Sequence, residues 1–116
     1  DEEERRSMVK KAIESVGLTD KINSRPNMLS GGECQRTAIA RAIVHQPALV
    51  LADEPTANLD AENSHHIMKI LSNLNQEMST SFIFATHDEK IMGYLKRIVH
   101  LEDGMINKDE KFERTK

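Results

Sequence analysis

With 116 residues the chain has room for one small domain, or for part of a larger one, and sixteen basic against nineteen acidic side chains leave a formal charge of -3. No broad basic surface is available for nucleic acid, and with aromatics at 3%, no Trp and Tyr94 as the single tyrosine, stacking platforms for bases or carbohydrates are hard to build. Cys34 is the only cysteine, which excludes an intramolecular disulfide framework and a Cys-rich zinc site and fits a reducing, cytosolic setting, and no apolar run is long enough to span a membrane.

The acidic opening Asp1-Glu2-Glu3-Glu4 lacks an initiator Met, as an internal start or a processed terminus would. Over residues 5 to 16, Val9, Ala12, Ile13 and Val16 recur at helical spacing, and Gly17 stands where a C-terminal helix cap is expected. Residues 18 to 28 lack periodicity and contain Pro26, which predicts a connector with at most another helical turn. Ser30 and Glu33 match the S-x-x-E capping box of a second helix. Its apolar stripe is Ala38, Ile39, Ala42 and Ile43, and Pro47 stops it.

Ala48 to Ala52 is apolar at every position and too short for a helix between Pro47 and Pro55. That predicts a strand covered on both faces, in a parallel sheet. From Asp60 to Met78, Ile67, Ile70, Leu71, Leu74 and Met78 predict an amphipathic helix, and Phe82 to Thr86 reads as a second buried strand, giving a βαβ unit. A short helix over 88 to 95 leads to a strand over 97 to 101, and Asp103-Gly104 predicts a tight hairpin into Met105-Ile106. The charged tail from Lys108 is expected to fray. The scattered methionines, from Met8 to Met105, are expected to fill core space.

Two glycines at the start of a helix expose backbone N–H groups that can hold a phosphate, so Ser30-Gly31-Gly32 is a candidate anion site. Asp53-Glu54 lies at the C-terminal end of a parallel strand, where open α/β sheets bind ligands. Adjacent strand residues point to opposite faces, so one carboxylate can reach a metal while the other turns toward attacking water. Asp53 suits the metal and Glu54 the base. His87, just past the second strand, ends at the same rim if the two strands are parallel neighbours. His65-His66 do not share a helix face for metal binding, and nothing near Cys34 suggests a catalytic thiol. No stretch fits G-x-x-x-x-G-K-[ST], the loop that wraps the β- and γ-phosphates.

Leu29-Ser30-Gly31-Gly32-Glu33 with Gln35-Arg36, then Leu49 to Thr56, then Asn58-Leu59-Asp60, then Thr86-His87-Asp88, in this order and spacing, resemble the ATP-binding cassette ATPases. The likeness runs from about residue 7 to residue 107 and implies a partial P-loop NTPase fold, an α/β parallel sheet with part of a helical subdomain. Residues 1 to 47 would end the helical subdomain and residues 48 to 116 would form the C-terminal half of the ATPase core. Ala52, Asn58 and residues 97 to 104 look most like the lipoprotein-release and macrolide-export branch.

The resemblance implies a signature motif, with Ser30, Gly31, Gly32 and Glu33 on the γ-phosphate of ATP held by the opposite subunit of a head-to-tail dimer. By the same likeness Asp53 holds magnesium through water, Glu54 is the general base, Asp60 belongs to the loop between subunits, and His87 senses the γ-phosphate. The implied cofactors are ATP and Mg2+. The implied partners are a membrane permease and a second ATPase subunit, at the inner face of the cell membrane. The motifs that lie upstream of the signature in this family are absent from these 116 residues. The chain alone is therefore expected to be inactive, with exposed sheet edges that favour self-association. A soluble cassette ATPase of DNA repair or translation, and a non-catalytic interaction module, are the alternatives.

Overall fold

Asp1 caps the first helix by accepting from the backbone N–H groups of Glu3 and Glu4, and three glutamates in the first turn oppose the positive end of the helix dipole. The computed structural model describes residues 1–113. In it α1 (Glu2–Ser15) starts three residues earlier than its apolar spacing suggests, because this cap extends it. Gly17 ends it at φ +74°, and the bonds Gly17 N–H to Glu14 O and Leu18 N–H to Ile13 O make a Schellman turn that buries Leu18. Two 3-10 turns, Thr19–Lys21 and Pro26–Met28, form the connector.

α2 (Gly31–Ile43) is followed by β1 (Leu49–Asp53), α3 (Ala61–Met78) and β2 (Ser81–Ala85). β1 and β2 pair in parallel, Leu49 with Ser81 through Asp53 with Ala85, so the predicted βαβ unit is present. The start of the pair is tied by buried Thr80, whose hydroxyl donates to Pro47 O at 2.9 Å while its own carbonyl accepts from Asn75. Ile39, Ala40 and Ile43 of α2 meet Ile67, Met68, Ile70, Leu71 and Leu74 of α3 in one core, closed from α1 by Ala12 and Val16. Val50, Phe82 and Phe84 lean onto this core from the sheet.

The sheet is covered on one face only, which corrects the expectation of a strand buried on both. Leu49, Leu51 and Ile83 are exposed, Leu51 by 73%, while their neighbours Val50, Phe82 and Phe84 are half-buried. An uninterrupted apolar run marks a strand whose chemistry suits two covered faces, but no described element lies on the second one. The α2 stripe is rotated for a related reason: Ile39 and Ile43 are buried, whereas Ala38 and Ala42 are exposed. Val9 of α1 is likewise 47% exposed.

The predicted short helix is a 3-10 helix, Glu89–Tyr94, capped by Asp88. β3 (Arg97–Glu102) and β4 (Met105–Lys111) form a separate antiparallel hairpin. Asp103 at φ +50° and Gly104 at φ +76° supply the two left-handed residues that a two-residue turn matching strand twist requires. Of the tail expected to fray, Lys108 to Lys111 is paired as part of β4. The Arg97 guanidinium holds the Asp109 carboxylate at 2.7 Å and below the usual carboxylate range. Residues 114 to 116 lie outside the described part. Met68 fills core space, but Met28 and Met105 are more than 70% exposed, so methionine there is not core.

The accessible surface is 8551 Å², against about 6,400 Å² for a folded monomer of this mass. The radius of gyration is 15.4 Å, against about 13 Å for a compact domain of this length. The uncovered sheet face and a hairpin whose side chains are nearly all exposed contribute to this excess.

Candidate functional site at the rim of the parallel sheet

The parallel register carries one residue beyond the strands. Glu54 N–H donates to Ala85 O at 2.7 Å, so Glu54 leaves β1 still attached to the end of β2. Its backbone then turns into the left-handed region, φ +51°, which a non-glycine residue adopts only where its surroundings enforce it. That turn swings the side chain back over the β2 end. Thr86 Oγ1 donates to Glu54 Oε2 at 3.2 Å and His87 Nδ1 lies 2.7 Å from Glu54 Oε1. Three consecutive residues thus hold three atoms of one glutamate.

The loop carrying His87 is anchored in turn. Asp88 N–H donates to Thr86 Oγ1, and Thr56, 2% exposed, donates through its hydroxyl to Asp88 Oδ2 at 2.7 Å. That hydroxyl, chiefly, holds the Asp88 carboxyl below the usual carboxylate range, with the Lys90 N–H and ammonium adding to it. Gln35 of α2 donates through Nε2 to Pro55 O at 2.6 Å and ties the loop after Glu54 to α2.

Asp53 ends β1 on the uncovered face, and its carboxylate has no hydrogen-bond or ion-pair partner among the described residues. No group of three or more His, Cys, Asp or Glu side chains able to hold a metal ion occurs among the described residues. A lone, unengaged carboxylate matches the way magnesium is usually bound, by one or two protein carboxylates with waters and substrate phosphates completing the shell.

The Ser30 to Glu33 segment does not join the Glu54 network. Ser30 Oγ accepts from Glu33 N–H at 3.1 Å, and Glu33 Oε1 accepts from Ser30 N–H at 3.0 Å, closing the capping box. The Ser30 amide, foremost, holds the Glu33 carboxyl below the usual range. Gly32 is buried, and a Cβ there would lie 2.8 Å from Asn63 Oδ1 and 3.2 Å from Asn63 Cγ. A Cβ at Gly31 would meet Leu59 at an ordinary 3.6 Å. Asp60 caps α3 by accepting from Asn63 N–H at 2.8 Å. The residues after Pro55 therefore pack against the start of α2. Sequence reasoning gave no role to Thr56, Thr86, Asp88 or Gln35. The only available signal was their place inside the motifs, since each acts through a partner twenty or more positions away.

His65 pairs with the Tyr94 hydroxyl at 2.8 Å and stays at the surface. Cys34 is exposed in the first turn of α2, with its Sγ 3.9 Å from Leu29 O.

The sequence profile of the family described as ABC transporter matches residues 1–57. The chain is 45% identical over 107 residues to a lipoprotein-releasing system ATP-binding protein LolD of Idiomarina loihiensis, covering 92% of this chain and 47% of the relative. It is 46% identical over 101 residues to a macrolide export ATP-binding/permease protein MacB of Chlorobaculum tepidum, covering 87% of this chain and 15% of the relative. The chain thus spans less than half the length of either relative. Among solved structures, a dimeric ATP-binding cassette in a post-hydrolysis state with ADP and Pi superposes with a TM-score of 0.79 at 37% identity, over 99% of this chain and 50% of the other. The cbiO1 protein of Clostridium perfringens, part of the ABC transporter complex cbiONQ, superposes with a TM-score of 0.90 at 31% identity, over 96% of this chain and 45% of the other.

Two outcomes follow from this geometry. Gly32→Ala is expected to destabilise the chain by up to about 1 kcal/mol, the displacement of the Asn63 side chain being partly offset by the gain in helix propensity. Adding Asn63→Ala should remove most of that loss, as read by urea denaturation followed by circular dichroism. The second concerns Asp88, whose folded pKa lies below its unfolded one. Its contribution is complete above the unfolded value of about 3.9 and is lost as pH falls through the folded value. Thr56→Val should therefore destabilise most near neutral pH, and the gap from wild type should narrow as denaturation is repeated at falling pH below about 4.

Proposed function

This chain belongs to the ABC transporter family, and from that membership we propose that its 116 residues form the signature and Walker B part of an ATP-binding subunit. The subunit drives an export or lipoprotein-releasing transporter, with a membrane permease and a second ATPase subunit as partners at the cytoplasmic face. The observation that carries the reading is the Glu54 carboxylate, held at the rim of the parallel sheet between Thr86 and His87. A carboxylate in that place can accept the proton of an attacking water, which is the general-base role. His87, 93% exposed beside it, is free to turn its imidazole toward a γ-phosphate.

Asp53 would hold Mg2+ through water. That ion, when bound, supplies positive charge for the phosphate oxygens. Ser30, Gly31, Gly32 and Glu33 would meet the γ-phosphate of ATP on the opposite subunit, where the amides of the first α2 turn and the positive helix end favour an anion. Asp60, at the start of α3, would line the same subunit boundary. The matched relatives carry transporter names, which favours this reading over a soluble ATPase of DNA repair or translation.

These residues contain no P-loop, the part that grips the β- and γ-phosphates. The 116-residue chain alone is accordingly expected to bind ATP weakly and to hydrolyse none. A titration with a fluorescent ATP analogue and magnesium tests this beside the same residues joined to the P-loop half of a lipoprotein-releasing relative. Only the joined protein should bind in the micromolar range, and equal binding by the short chain would refute the assignment.

The uncovered face of β1 and β2 should also make the chain alone self-associate, because Leu49, Leu51 and Ile83 form an exposed apolar strip beside unpaired strand edges. Light scattering after size exclusion should show mass rising with concentration. Leu51→Lys combined with Ile83→Lys should shift it toward the monomer, and a monomeric wild type would count against the idea.

A further inference from the structure

A threonine hydroxyl has one proton to give and two lone pairs to receive with. At Thr86 the Asp88 N–H occupies an acceptor position at 3.0 Å, and the proton is directed to Glu54 Oε2 at 3.2 Å. Asp88 cannot drift, because Thr56 holds its Oδ2 at 2.7 Å from a buried position while its Oδ1 accepts from Lys90 N–H and caps the following 3-10 helix. A line of oriented hydrogen bonds therefore runs from the protein interior, through Asp88 and Thr86, to one oxygen of Glu54.

The other oxygen is tethered differently. His87 reaches Oε1 with a side chain that is 93% exposed, so it is a contact made from solvent by a residue able to leave. The terminal torsion of a glutamate is broad and sets no carboxylate orientation by itself. With His87 alone the carboxylate would be free to swing about that one contact. A second tether on Oε2, made from the end of β2, fixes the carboxylate plane whether or not His87 stays.

We propose that Thr86 is a positioning residue for the general base: its hydroxyl sets the rotation of the Glu54 carboxylate and keeps it set when His87 turns toward phosphate. The proposal rests on the reading of Glu54 as the base. Thr86 touches no reacting atom and acts through Glu54. Its loss should lower the rate of the chemical step without weakening nucleotide binding.

The test uses the complete ATPase, these residues joined to the P-loop half of a lipoprotein-releasing relative, with steady-state ATP turnover and thermal melting measured together. Thr86→Val keeps the branched shape and removes the hydroxyl. It is expected to lower kcat by roughly tenfold with KM changed by less than about twofold, and Thr86→Ser should restore kcat to within about threefold. Thr86→Ala replaces Thr86→Val if the latter fails to fold. Glu54→Gln, in the same preparation, should abolish turnover. An active Glu54→Gln would remove the base assignment and the Thr86 role with it. An inactive Glu54→Gln beside wild-type turnover in Thr86→Val would overturn the Thr86 role alone. So would a loss confined to KM, or Thr86→Ser as impaired as Thr86→Val.

Discussion

The pairing of β1 with β2, carried one residue further by the bond from Glu54 N–H to Ala85 O, is the constraint on which the candidate site depends. Side chains alternate along a strand, so a slip of one residue would exchange the faces of Asp53 and Leu51 with those of Val50 and Ala52 and move His87 away from Glu54. The register is specified at both ends. Thr80 and Pro47 lock the start, and Ala85 to His87 lock the finish. Phe82 and Phe84, stacked with ring centroids 6.2 Å apart, keep the apolar face turned to the helices.

The Ser30 to Glu33 segment answers to a different constraint. Its serine and glutamate satisfy each other's backbone amides, and its second glycine admits the start of α3. A phosphate role for this segment and a packing role for Gly32 are compatible, since one uses the free face of the helix start and the other the face turned to Asn63. Gln35, a few residues along, reaches the Pro55 carbonyl. Through that bond and the Leu59 and Asn63 contacts, the beginning of α2 and the loop after Glu54 are parts of one packed unit.

Energetically the molecule is lopsided. The helices and one sheet face share a single core, while the other face presents Leu49, Leu51 and Ile83 to water and the β3–β4 hairpin exposes Leu101, Met105 and Ile106. Exposed apolar strips beside unpaired strand edges invite association. The hairpin is held by its turn and by polar pairs between its strands, the Arg97–Asp109 ion pair and a His100–Glu110 hydrogen bond. Those pairs lie at the surface and contribute little each, so its order rests chiefly on the backbone ladder.

Local signals in the sequence determined the elements: the Ser30 and Glu33 capping box, Gly17 after α1, Pro47 before β1 and Asp103-Gly104 in the hairpin all act within a few residues and were legible as such. The four ordered motifs likewise carried the family. What the sequence misstated was burial. Leu51 and Ala38 are apolar yet exposed, and Met105 is no core residue, because burial depends on which element faces a side chain and not on its type. That His87 would share a rim with Glu54 was legible in the βαβ unit, whereas the Thr86 contact to the same carboxylate was not. Thr86 and His87 are more than thirty positions from it, Thr56 lies thirty-two from Asp88, and hydrogen bonds between such distant residues exist only once the parallel register has placed two strand ends side by side.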